Sequence, residues 1–276
     1  MPCPSNAGPL RRSPRLVATD LDGTLLRPDY SISERTRRAL DLARDHGARV
    51  VLVTGRPPRW VAPPVADTGL DGPVICANGA ITYDPRRGEI VEHRTLVPQT
   101  ARAIVDALRA ELPGVAMAFE QGLTFGRERH WKSARGSPGE VIVDDVLEIA
   151  SRPLSKLLAR HPAADAADLA EVVVRAVGDS AVPTWSTDRM LEMSGAGVTK
   201  AAALATLASR LGVAPGEVVA FGDMPNDVAM LQWSGTGYAV ANAHPDVLAA
   251  ADAITASNAD DGVALVLEQL FELESS

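Results

Sequence analysis

Short, unbroken apolar runs recur along the chain, and each stops at a polar or glycine-bearing turn. They are Leu16-Val17-Ala18, Val50 to Val53, Val74-Ile75-Cys76 and Val218 to Phe221. A strand with one wet face alternates apolar and polar residues, so an unbroken run predicts a strand buried on both faces, as in a parallel sheet covered by helices. Between the first two runs, SISERTRRALDLARDHG offers Ser31 and Ser33 as N-caps, Ala39, Leu40 and Ala43 on one face, and Gly47 as a stop. This predicts one amphipathic helix. Further on, TKAAALATLASRLGV spaces Leu204, Leu207, Ala208 and Leu211 along one helical face, with Lys200 in the first turn and Gly212 at the end. NDVAMLQWS reads as a helix, YAVANA as a short strand and GVALVLEQLF as a terminal helix. The series predicts an α/β fold with a Rossmann-like parallel sheet, whose ligand site lies beyond the carboxyl ends of the strands.

From Tyr83 to Ser186 the rhythm changes. RGEIVEHRTLV reads as extended, QTARAIVDALRAELPG as a helix closed by Pro113-Gly114, and VAMAFEQGLTFG as a hairpin turning near Gln121-Gly122. An Ala-rich helix follows around Asp168 to Val177, with extended pieces near Val182 to Trp185 and Met190 to Met193. Hairpins beside helices predict an α+β module inserted into the first domain. The expected division is a loose tail over 1–14, a core domain over 15–82 and 188–276, and an inserted cap over 83–187.

Composition narrows the functions. With 27 basic and 35 acidic residues the formal charge is −8, which argues against a general nucleic-acid binder. An anionic substrate would then need local positive charge, from a metal or from a few lysines and arginines. Cys3 and Cys76 give neither a disulfide framework nor a zinc-type pairing, and a reducing cytoplasm is the expected setting. The opening MPCPSNAGPLRRSPR has no apolar core of the kind a secretory signal needs, and no apolar run approaches membrane-spanning length, so no membrane partner is expected.

The chemistry collects at the run ends: Asp20 and Asp22, then Thr54-Gly55-Arg56, then Asn78-Gly79, then the GDMPND segment with Asp223, Asn226 and Asp227. Like charges about 4 Å apart at an effective dielectric near 20 repel by roughly 4 kcal/mol, so several carboxylates sharing one crevice need a cation. Oxygen ligands without a neighbouring His or Cys select Mg²⁺ over zinc. His46, His93, His161 and His244 show no ligand spacing and are given no catalytic role.

DLDGTLL, TGRP, ANGA, the downstream Lys200 and GDMPND together resemble the haloacid dehalogenase superfamily, and more narrowly its Cof-type phosphatases with a large inserted cap of the C2 type, subfamily IIB. The resemblance covers nearly the whole chain from about Leu16. It implies a phosphoric monoester hydrolase that attacks a small phosphorylated metabolite, a sugar phosphate or a phosphorylated cofactor, through an aspartyl-phosphate. On that reading Asp20 is the nucleophile and a Mg²⁺ ligand. Asp22 is the general acid and then base, starting protonated among other acids, and its backbone carbonyl faces the metal. Thr54 and Lys200 stabilise the transferring phosphoryl group, while Gly55, Arg56, Asn78 and Gly79 bind substrate. Asp223 is a further metal ligand, and direct ligation or support stays open for Asn226 and Asp227.

Two alternatives stand beside this reading. One is a dedicated sugar-phosphate phosphatase or phosphomutase of the same superfamily. The other is a receiver-like phospho-aspartate signalling module, against which stand Asp22 and the large insertion. The basic stretch Arg127, Arg129, His130, Trp131, Lys132 and Arg135 is read either as a grip on the distal part of an anionic substrate or as a solvated cap loop.

Overall fold

The computed structural model describes residues 13–132, 139–187 and 189–272. The expected tail therefore lies almost wholly outside the described residues, as do Arg135 and the joint at Asp188.

Strand β1 (Leu16–Thr19) leads into helix α1 (Glu34–Asp45) and strand β2 (Arg49–Leu52). Ser33 caps α1 by accepting from the Thr36 amide, whereas Ser31 turns back to donate to Asp29 and caps nothing. After helix α2 (Ala62–Thr68) come β3 (Val74–Cys76), β4 (Ile81–Asp84) and β5 (Glu89–His93). Next are α3 (Pro98–Glu111), β6 (Ala116–Gln121), β7 (Thr124–Glu128), β8 (Val141–Val143), β9 (Lys156–Arg160), α4 (Ala166–Val177), β10 (Ala181–Thr187) and β11 (Met190–Gly195). The chain ends with α5 (Lys200–Arg210), β12 (Val218–Gly222), α6 (Val228–Trp233), β13 (Thr236–Val240), α7 (Pro245–Ala250), β14 (Ala253–Thr255) and α8 (Gly262–Glu272).

Strands β14-β13-β12-β1-β2 form one sheet, parallel throughout. Successive residues of a strand point to opposite faces, and here both faces are covered. Val17, Leu52, Val219 and Phe221 pack into one apolar cluster with α1 and α8. Their neighbours Leu16, Val51, Val53 and Ala220 pack into a second, with α5, α6 and α7. Burial on both sides is why these strands read as unbroken apolar runs.

The third run departs from the expectation. Val74–Cys76 is joined to the end of β2 by a parallel bridge between Val53 and Ile75, while its ladder is antiparallel, to β4. It belongs to a three-stranded sheet, β3-β4-β5. The run is unbroken because Ile75 faces the second cluster while Val74 and Cys76 face the first.

The other large sheet has the order β10-β11-β9-β6-β7-β8, antiparallel except for β7 with β8. One face carries Met117, Phe119, Leu157, Ala159, Leu191 and Met193 against α3 and α4, in an apolar cluster drawn from residues between Leu96 and Met193. The intervening positions Glu120, Lys156 and Glu192 share the opposite face by strand alternation, since Glu120 pairs with Lys156 and Glu192 with Leu158. The expected joint at Tyr83 falls inside β4, where Tyr83 packs against the first apolar cluster.

Candidate active site

The carboxyl ends of β1 and β12 lie side by side, tied by the Asp20 amide donating to the Phe221 carbonyl at 3.0 Å. Asp20 thereby sits beside Asp223 and Asp227, and one carboxylate oxygen from each of the three lies within 4.8 Å of the others. Lys200, in the first turn of α5 and 1% exposed, donates to Asp20 Oδ1 at 2.6 Å and to Asp227 Oδ1 at 2.7 Å. Burial alone would pull the ammonium down, but the two carboxylates overcome it and hold Lys200 above the ordinary lysine range.

Burial is also the main reason that the Asp20 carboxyl is raised well above the ordinary range, with Asp227 and Asp223 adding to it and Lys200 opposing. Asp223 is raised to about 7, again first by burial and then by the charge of Asp227. Its Oδ1 accepts from the Thr24 hydroxyl at 2.8 Å. Gly23, at φ +80°, makes room for it, since a Cβ there would lie 2.2 Å from Asp223 Oδ2. Asp227 has no spare oxygen: Oδ1 takes Lys200 and Oδ2 accepts from the Asp223 and Met224 amides at 3.2 and 3.1 Å.

Asp22 stands apart from this cluster. Arg56 grips it in a bidentate pair, Nε to Oδ2 at 2.7 Å and Nη2 to Oδ1 at 2.6 Å. The crowding expected around Asp22 falls on Asp20 and Asp223 instead. Thr54 is buried at the end of β2, and its hydroxyl accepts from the Arg56 amide at 3.0 Å. The Thr54 carbonyl receives the Asn78 amide at 3.1 Å, which laces the two turns together. Gly79 (φ +97°) lets the chain pass close to α5, where a Cβ would meet the Thr199 carbonyl oxygen at 2.2 Å. Asn78 is buried, and its amide donates to Glu192 Oε2 at 2.9 Å and Thr184 Oγ1 at 3.2 Å while its oxygen accepts from Asn226 at 3.0 Å. Asn226 thus donates to Asn78, while among the described residues its own Oδ1 is buried without a partner.

Residues 17–267 match the family of haloacid dehalogenase-like hydrolases. The chain belongs to that family. Among its relatives, the 5-amino-6-(5-phospho-D-ribitylamino)uracil phosphatase YitU of Bacillus subtilis is 28% identical over 273 residues, spanning 96% of this chain and 100% of its own. The phosphoglycolate phosphatase of Natronomonas pharaonis is 31% identical over 254 residues, spanning 92% and 96%. A haloacid dehalogenase-like hydrolase from B. subtilis superposes with a TM-score of 0.80 at 25% identity, over 93% of this chain and 99% of that one. The fold is also that of the subclass IIB sugar phosphatase BT4131, at a TM-score of 0.78. This haloacid dehalogenase-like hydrolase is therefore an enzyme of the phosphatase type, and the receiver-like alternative falls away.

Several residues of the hydrolase that face the same turns escape a reading of the sequence. Lys156 reaches from β9 to Glu192 Oε2 at 2.6 Å and to the Gly55 carbonyl at 3.1 Å, and Arg59 reaches from the core to Glu120 at 3.2 Å. The signal for Lys156, Glu192 and Glu120 is a charged residue beside apolar neighbours in each of three mainly apolar strands, AMAFEQ, KLLAR and MLEMSG. Within the basic stretch, Arg127 pairs with Glu140 at 2.6 Å, Arg129 with Asp144 at 2.5 Å, and Trp131 is buried beneath Arg160.

Proposed function

We propose that this protein is a Mg²⁺-dependent phosphatase of small phosphorylated metabolites that works through an aspartyl-phosphate on Asp20. The observation that carries the reading is the buried Lys200 between Asp20 and Asp227, with Asp223 alongside. Among the described residues, one ammonium against three carboxylates leaves a negative excess in a buried site, and the cluster's donors to a cation are oxygens. This set fits Mg²⁺. Among the described residues Asp20 Oδ2 and Asp223 Oδ2 carry no hydrogen bond, which favours Asp20 and Asp223 as side-chain ligands, with the unpartnered Asn226 Oδ1 a further candidate. Asp227, with both oxygens engaged, serves as the support that orients Lys200 and the GDMPND turn. When bound, the ion supplies the positive charge that lets a phosphate dianion approach these carboxylates.

Asp20 attacks phosphorus, while Lys200, donating to its Oδ1, aims the nucleophile and opposes the burial that favours its protonated form. Thr54, at the end of the neighbouring strand, offers its hydroxyl to the phosphoryl oxygens. Asp22 protonates the leaving alcohol and then takes a proton from the water that hydrolyses the intermediate, once Arg56 has turned from Asp22 toward the phosphate. The insertion, read as a cap over 83–187, covers the site and excludes bulk water. The relatives named above act on a phosphorylated ribitylamino-uracil and on phosphoglycolate, which supports a small organic phosphate here.

The test is phosphate release from a panel of phosphorylated metabolites with Mg²⁺ and with EDTA, on the native protein and Asp20→Asn. Release that needs both Mg²⁺ and Asp20, with acid-stable label on Asp20 after rapid quench, is expected. Release at an unchanged rate from Asp20→Asn, or in EDTA, refutes the mechanism.

A further inference from the structure

The cap's open face meets the Thr54-Gly55-Arg56 and Asn78-Gly79 turns through a buried polar cluster with loose ends. Glu120, whose side chain is 4% exposed, spends Oε1 on Arg59, and among the described residues its buried Oε2 has no partner. Arg59 spends one nitrogen on Glu120, and among the described residues its Nε and Nη1 are likewise buried and unpartnered. The guanidinium lies against the rings of Trp60, from the core, and Phe125, from the cap, with centroid distances of 4.8 and 4.9 Å. Beside this pair, Lys156 and Glu192 are bonded at 2.6 Å and each 3% exposed, and both Glu120 and Arg59 act electrostatically on Lys156. Lys156 ties the cluster to the Gly55 carbonyl, next to Thr54.

Buried polar groups are nearly always hydrogen-bonded, and one left unpaired costs about 1–3 kcal/mol. Unpaired donors on Arg59 and an unpaired acceptor on Glu120, within one ion pair, match a ligand group that can give and take a hydrogen bond. A hydroxyl does both: it donates to Glu120 Oε2 and accepts from Arg59. Charge decides the rest. Among the described residues Arg59 pairs with Glu120 and Lys156 with Glu192, so each cation already faces a carboxylate. A second phosphate or a carboxylate on the leaving group would bring uncompensated negative charge against Glu120 and Glu192, which is costly out of water.

We infer that Arg59 and Glu120 form the leaving-group subsite, and that it selects an uncharged, hydroxyl-bearing alcohol over one carrying a second anion. The inference rests on the phosphatase reading above. It sets this site apart from what phosphoglycolate would need, because that substrate's leaving group carries a carboxylate.

The experiment compares kcat/KM, with Mg²⁺, for a hexose monophosphate, the corresponding bisphosphate, phosphoglycolate and p-nitrophenyl phosphate. The native protein is expected to favour the monophosphate over the bisphosphate and phosphoglycolate by at least about tenfold, the discrimination that one unpaired buried group confers. Glu120→Gln leaves a net positive subsite, so it should lower the monophosphate-to-bisphosphate ratio by about tenfold. Arg59→Gln should lower the ratio of hexose monophosphate to p-nitrophenyl phosphate by about as much, through KM. A merely structural loss would lower all four substrates together, and that result overturns the inference. So does a native enzyme that takes bisphosphate or phosphoglycolate as readily as the neutral sugar phosphate, a measurement that needs no variant. Release from none of the four would refute the phosphatase reading and the subsite with it, whereas release without preference refutes only the subsite.

Discussion

Asp223→Asn should make the metal-free protein more stable while destroying its activity. Asn keeps the shape and an oxygen to accept the Thr24 hydroxyl, and removes one charge from the buried cluster. A carboxyl that ionises near 7 in the folded protein instead of near 3.8 binds its proton more tightly when folded. The stability it contributes is therefore fully present below about pH 4 and is lost as pH rises toward 7. At about 1.4 kcal/mol per pH unit, the loss above pH 7 reaches at most about 4 kcal/mol. Half of that recovered by Asn would raise Tm by about 4–8 °C for a chain of this size. The assay is thermal unfolding in EDTA from pH 4.5 to 8. The two curves should converge at the acid end and separate with rising pH, with the variant above. Saturating Mg²⁺ should then raise Tm of the native protein and leave the variant little changed, because only the native site binds the ion strongly. A variant no more stable than the native protein at pH 8 in EDTA, or a gap that does not grow with pH, refutes the account of Asp223 as a carboxylate held at a cost in stability for the sake of a cation.

Three further outcomes follow from the geometry. Lys156→Met leaves Glu192 charged and buried with Asn78 still donating to it, and should cost about 3–5 kcal/mol by denaturant unfolding, with Lys156→Met/Glu192→Leu recovering more than half. Gly79→Ala puts a Cβ against the Thr199 carbonyl at a positive φ, so the start of α5 must shift and carry Lys200 with it; kcat should fall at least about tenfold, and an unchanged kcat would show that α5 has slack. Asp22→Asn should slow hydrolysis of an alkyl phosphate by about 10²–10⁴-fold and of p-nitrophenyl phosphate far less, since a good leaving group needs no proton; equal losses on both would remove Asp22 from the acid role.

The strand ends were legible because a doubly buried strand leaves the sequence no other place for polar chemistry. Asp20, Thr54 and Asp223 each stand on the first or second residue after an apolar run, and the parallel register brings those ends together. Two short helices were not legible: α2 and α7 are seven and six residues long, start at or beside proline, and carry little periodicity. The run Val74–Cys76 misled for a related reason, since burial on both faces can be supplied by two different sheets. A three-residue strand does not record which neighbour it pairs with.

The pairings that govern the site lie beyond local pattern altogether. Arg56 meets Asp22 across 34 positions, Asn78 meets Glu192 across 114, and Lys200 meets Asp20 across 180. Each joins segments separated by strands, helices or the whole insertion, so topology must be known before charge can be matched. This changes what the two aspartates of the opening motif mean. Asp20 and Asp22 are two residues apart, yet a strand end sends one to a lysine at the start of α5 and the next turn sends the other to an arginine two residues past Thr54. Their mutual repulsion is relieved by separate cations, and the proposed mechanism uses that separation, giving attack to one carboxylate and proton transfer to the other.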